Sequence, residues 1–255
     1  MKWQLASAAL LAGALLAFAQ PDAAAQGTVA ATIRSDVRQL VTFQFLPGRS
    51  DSAVAIYEHE LVPRYRDDPP MRRFRGYREA ESPEPLDLIV VSSFDGMAGM
   101  DASNVTLRTM ASSGRSVFQW YGILSTLSLQ HHDEFAEMLP EVGDAALAAS
   151  DSGAGLVVLE YVRVVPGGRS SYERLLAARV RAVERARGLT RWSETGRLLI
   201  SDGWDYVRFI GVTTLGAWQA YRQALDDAGA SDEIDRLVVA RKTIVVRQAP
   251  TLSVR

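Results

Sequence analysis

Tyr161-Val162-Arg163 and Tyr206-Val207-Arg208 are the two stretches whose residue types and spacing could do chemistry. In a strand, residues two apart share a face, so each triplet sets a phenol beside a guanidinium. A guanidinium fork binds carboxylate or phosphate oxygens through paired hydrogen bonds, and a tyrosine hydroxyl adds a further donor. The chemistry on offer is capture of a small anion. The alternative is an ion-pair network within the protein, because an unpaired buried charge is strongly unfavourable. Asp133 and Glu137, two carboxylates on one face of a further strand with His131, could supply that network. Both readings stay open.

Histidine occurs only at 59, 131 and 132. Within a strand His131 converges with Asp133, or His132 with Glu134, and two ligands do not make a metal site. His59, between Glu58 and Glu60, reads as a solvated helix face. Cysteine is absent, which excludes disulfides, thiolate nucleophiles, cysteine-ligated zinc and iron–sulfur clusters. No G-x-S-x-G, P-loop, G-x-G-x-x-G or H-E-x-x-H string is present, so serine hydrolase, nucleotide and zincin readings lack their local geometry. The arginine-rich stretches 72–75 and 174–191 read as solvated faces, and Met97 with Met100 as core.

The elements that must position these residues come from a chain of 255 residues, 47% hydrophobic and 23% charged with net charge −2, the composition of a globular protein with no overall drive toward nucleic acid. Residues 1–25 read as a secretory signal peptide: Lys2, an apolar run over 5–18, then small residues at 17–19 and 23–25. The run is too short for a permanent span.

The rest repeats. Leu40-Val41-Thr42-Phe43-Gln44-Phe45-Leu46-Pro47-Gly48 is echoed 119 residues later by Leu159-Glu160-Tyr161-Val162-Arg163-Val164-Val165-Pro166-Gly167, and residues 86–94 by 204–212 at a spacing of 118. The pattern predicts, in each copy, a strand with a Pro-Gly stop, a helix (51–66; from 170, with Ser170-Ser171-Tyr172-Glu173 as a capping box), a second strand (71–79; 189–197), a third leading into a helix (from Asp95; from Thr213), and a last strand (133–139; 243–248). Tyr57, Leu61, Leu176, Val180 and Val183 should be core, Met97 and Met100 should point inward, and Pro63 should kink or end its helix. The first copy holds eight extra residues, expected as helix within 114–129, and 141–155 reads as a linker.

Two βαββαβ units, with Glu60-Leu61-Val62-Pro63-Arg64-Tyr65-Arg66-Asp67-Asp68-Pro69 before the second strand, resemble the dimeric α+β barrels, among them the antibiotic-biosynthesis-monooxygenase-like and NIPSNAP-like proteins. The resemblance implies two sheets facing each other across a barrel, helices outside, and a pocket between sheet and helices or inside the barrel. Taking the more apolar alternating set as the helix side puts Phe43, Phe45, Ile89, Val91, Val162, Val164, Val207 and Phe209 under helices, and Tyr161, Arg163, Tyr206 and Arg208 inside the barrel.

The expectation is thus an α+β protein in which residues 36–140 and 156–252 are tandem ferredoxin-like repeats forming one intramolecular barrel. Exported to the periplasm or beyond, it binds a small anionic or amphiphilic ligand through Tyr161, Arg163, Tyr206 and Arg208, or serves as a scaffold. The resemblance implies two alternatives: a cofactor-independent monooxygenase on an aromatic or polyketide-like substrate, and a haem-binding or haem-degrading barrel. The lack of histidine after position 132 counts against a chlorite-dismutase-like haem site. No cofactor or metal is expected; the partners expected are a small molecule and a second copy of the chain, without nucleic acid or a membrane span.

Overall fold

Strand β1 (Asp36–Phe45) buries Leu40 on one face and Phe43 and Phe45 on the other, and this two-sided burial recurs around the molecule. The computed structural model describes residues 36–83, 85–143 and 155–254; the expected signal peptide and most of the expected linker lie outside them. After β1 come α1 (Ser50–Ile56), a π-helical turn (Tyr57–Leu61) and α2 (Val62–Arg66), then β2 (Met71–Glu81), β3 (Leu88–Asp95) and α3 (Gly96–Thr109). A small hairpin, β4 (Ala111–Ser112) and β5 (Arg115–Ser116), leads into α4 (Val117–Leu127) and β6 (Ser128–Met138). The order recurs as β7 (Leu156–Val164), α5 (Arg169–Leu175), a second π-helical turn (Leu176–Val180), α6 (Arg181–Arg187), β8 (Trp192–Ile200), β9 (Tyr206–Val212), α7 (Leu215–Asp227), α8 (Ala230–Asp235) and β10 (Val238–Val254).

The strands close one antiparallel barrel in the order β1-β3-β2-β10-β7-β9-β8-β6. Strands before residue 143 run β6-β1-β3-β2 and those after 155 run β10-β7-β9-β8, the same order of equivalent strands. The two sets join where β2 meets β10 and β8 meets β6. Phe43, Tyr57, Leu61, Phe74 and Trp120 form a core under the first helices; Val162, Tyr172, Leu176, Ile210 and Tyr221 form its counterpart. Leu40, Tyr77, Ile89, Leu159, Trp192 and Phe209 fill the middle of the barrel.

The structure inverts the expected faces of β3 and β9. Ile89, Val91, Val207 and Phe209 lie inside the barrel, while Leu88, Val90, Tyr206 and Ile210 face the helices, as does Arg208, which bonds helix residues. In the β7–β9 pair Tyr161 stands opposite Val207 and Glu160 opposite Arg208. Opposed residues of antiparallel strands share a face, so an inward Tyr161 brings Val207 inward with it. With both faces buried, polarity no longer marks the helix side.

Local expectations fare unevenly. Tyr57, Leu61, Leu176 and Val180 are buried and Val183 partly so, but Met97 is 42% exposed. The capping box at Ser170 does not form: α5 is preceded by Gly168 without a side-chain cap, and Glu173 turns to Arg197 and Tyr206. The extra residues of the first half include the β4–β5 hairpin, after which Ser116 and Gln119 make the capping box that starts α4. Pro63 does not end its helix; it enters α2 after the π-helical turn. The second π-helical turn has Ala182 where Pro63 would be, so proline is not its cause. The last strands are longer than predicted, and β10 passes Pro250 through a break in its register with β2.

Candidate ligand site at the barrel mouth

Inward positions of β1, β6, β7 and β10 end at one mouth of the barrel, where Thr42, His132, Glu134, Tyr161, Lys242 and Ile244 line a cavity of about 330 Å³. Leu86, before β3, and Trp204, before β9, cap it from opposite sides. Thr42 and Tyr161 occupy matching places in the two halves, as do His132 and Lys242, Glu134 and Ile244, and Leu86 and Trp204. Each pair differs in character. Their equivalence would give a two-fold pocket, and the differences make it chemically one-sided.

Trp204 is fixed by its own turn. Ser201 Oγ donates to the Trp204 carbonyl at 2.6 Å and accepts from its N–H at 3.1 Å. Asp205 accepts the Val164 N–H at 2.9 Å and a bond from Arg169 at 2.5 Å. Arg163 donates through Nε to the Gly203 carbonyl at 2.5 Å, its guanidinium 5.4 Å from the Trp204 ring centroid. Gly203 has φ +87°, and a Cβ there would come within 2.9 Å of that guanidinium, so the turn requires glycine. On the other side His132 Nδ1 lies 3.3 Å from Asp202.

Lys242, Tyr161 and Glu134 are the most informative part of the lining. Lys242 Nζ lies 5.0 Å from the Tyr161 ring centroid and 5.6 Å from that of Trp204, within range of cation–π attraction to both. The Tyr161 hydroxyl bonds the Glu134 carboxyl, and burial, with that carboxyl next to it, pushes the phenol well above its ordinary pKa. Glu134 is 8% exposed. Burial raises its pKa, and the Tyr161 bond and Lys242 only partly offset this. The site therefore offers an ammonium, an aromatic wall and a carboxyl with raised proton affinity.

Of the four residues expected to bind ligand, the structure places Tyr161 in this cavity and Arg163 at its rim, and puts Tyr206 and Arg208 on the opposite face of the sheet. The Tyr206 hydroxyl donates to Glu173 at 2.7 Å. Arg208 is 4% exposed and bonded to Glu160 at 2.8 Å, Glu184 at 3.0 Å and the Tyr221 hydroxyl at 3.2 Å. Tyr221 and Ser193 also donate to Glu184. The arginine's partners are thus protein carboxylates, but from its own half and not Asp133 or Glu137. Asp133 accepts from Gln39, and Glu137 lies 3.7 Å from Arg197. At the other end of the barrel Arg38 and Glu194 form a buried two-bond pair at 2.5 and 2.7 Å. Sequence reasoning missed Trp204 and Lys242. Lys242 is the only lysine besides Lys2, a signal that was available.

No family model matches this chain, and no curated protein matches it. Solved structures do. A monooxygenase-like protein of Lactobacillus acidophilus NCFM aligns with TM-score 0.59 at 10% identity, covering 84% of this chain and 94% of its own. The likeness is one of fold, an α+β barrel. A chlorite dismutase from Candidatus Nitrospira defluvii, in complex with imidazole, aligns with TM-score 0.51 at 11% identity, over 85% and 92% of the two chains. An anthrone oxidase-like protein gives TM-score 0.51 at 9% identity with the same coverage.

Haem does not fit the helix side of the second half of this α+β barrel. The cavity beside Arg208 measures about 70 Å³, far below the roughly 300–1,000 Å³ of ligand and cofactor sites. Residues 133–255 contain no histidine for an axial bond, and the Tyr221 hydroxyl is engaged with Glu184. Among the described residues no three His, Asp or Glu side chains gather into a metal site, and no helix is long and apolar enough to cross a membrane.

Proposed function

We propose that this protein is an exported α+β barrel, made of two tandem ferredoxin-like repeats, that binds a small planar anion at its mouth. Support for the repeat comes from bonds at matching positions: the Phe45 N–H donates to Asp87 at 2.8 Å, as the Val164 N–H donates to Asp205 at 2.9 Å. Support for export is the composition of residues 1–25.

The observation that carries the ligand reading is Lys242 in the wall of the cavity within cation–π range of the rings of Tyr161 and Trp204. An aryl carboxylate meets the ammonium with its oxygens and the indole with its ring. Likeness at about one-tenth identity carries the fold and not the oxygen chemistry of the neighbours, so the reading rests on the mouth alone. Calorimetric titration with benzoate tests it. Lys242→Met should weaken binding by roughly tenfold or more, the worth of one charge-assisted bond. Equal affinity in the variant would refute the proposal.

A further inference from the structure

The mouth cavity shares two of its walls, Trp204 and Lys242, with a second and larger space of about 790 Å³ on the outside of the barrel. The register of β10 explains how one strand can border both. It pairs with β7 from Val238 onward, but with β2 only from Val245 onward. Residues 238–244 therefore have a neighbouring strand on one side only. Beside this stretch, which among the described residues pairs on one side only, Lys242 and Trp204 line both spaces.

The outer space combines apolar and charged side chains. Thr243 and Val245 form its floor, and Leu215 and Trp218 of α7 one side. Leu215 is 43% exposed, a large apolar side chain open to solvent in a groove that begins at an ammonium. Arg222 and Arg241 extend the positive charge along the groove; Arg241 also reaches Asp235 at 3.3 Å, and Glu81 lies on the opposite bank. A charge at one end, apolar surface beyond it and cations along the edge complement an amphiphile with an anionic head.

Building on the mouth as the site for the anion, we infer that the natural ligand is an elongated amphiphilic carboxylate, its head on Lys242 and its apolar body lying in the groove against Leu215, Trp218 and Val245. A compact acid fills only the inner compartment. A longer acid gains from each methylene laid in the groove until the groove is full.

Calorimetry on the mature full chain with straight-chain carboxylates from butanoate to dodecanoate, each below its aggregation concentration, tests this. Affinity should climb by roughly three- to fourfold per added methylene over the first part of the series, the increment for burying a CH₂, and then level off. Leu215→Asp, a change at an exposed position, should flatten the climb while benzoate binds as in the wild type; Trp218→Ala should do the same if it folds, as circular dichroism will show. Affinity independent of chain length, or a climb unaltered in Leu215→Asp, would overturn the groove while leaving the mouth intact. Failure of benzoate and all the acids to bind would overturn both.

Discussion

Arg208 and Lys242 show how side chains of one charge serve different ends. Arg208 is enclosed with Glu160, Glu184 and Tyr221 between sheet and helices. Removing it orphans two buried carboxylates, so Arg208→Ala should lower stability by about 3–5 kcal/mol in urea unfolding, the cost of breaking a buried pair. A loss near zero would mean that the cluster is open to water. Glu134 yields the prediction on pH. Its raised pKa means that the fold favours the neutral acid, so its contribution to stability is full below the ordinary carboxylate range and lost as pH rises through the raised value. A carboxylate ligand beside it is repelled by the ionised form. Benzoate affinity should therefore rise as pH falls toward the raised pKa of Glu134, at pH values where benzoate itself stays ionised, and Glu134→Gln should remove most of that slope. A slope of opposite sign would place the ligand away from Glu134. Tyr161 was legible because the apolar set marks the helix side in β7, as it does in β1. Trp204 was not, because it belongs to a turn, where no periodicity reports direction.

At the scale of elements, β7 and β9 differ in how far the sequence could be read. Val162 and Val164 mark the helix side of β7 and leave Tyr161 and Arg163 opposite, as the structure has them. In β9 valine, phenylalanine and isoleucine occur on both faces, and only the register with β7 decides. That register was not visible without knowing which residues stand opposite. Gly211 tests the corrected assignment. Trp192, inside the barrel, lies over it so closely that a Cβ would come within 2.5 Å of the indole. Gly211→Ala should destabilise by about 1–3 kcal/mol, the usual cost of overpacking. A neutral result would mean that Trp192 is free to move from the barrel interior. The π-helical turns were beyond sequence reading: helical periodicity holds on both sides of them, and the one available breaker, Pro63, is absent from the second.

For the whole molecule, closure of eight strands removes most sheet edges and packs the middle of the barrel with side chains, so binding space is found at an end and on the outside beside β10. The repeat spacing in the sequence led to the expectation of one closed barrel, and the eight strands close one. It could not reveal the mouth, which depends on how matched positions have diverged. Arg38 with Glu194 closes the opposite end with a buried two-bond ion pair, and Lys242, Tyr161, Glu134 and Trp204 line the cavity at the mouth. The most direct test is a crystal structure of the mature chain grown with saturating benzoate. The ligand should lie in the mouth, its carboxylate at Lys242 and its ring on Trp204. Benzoate in the helix-side cleft beside Arg208, with the mouth lacking it, would contradict the account.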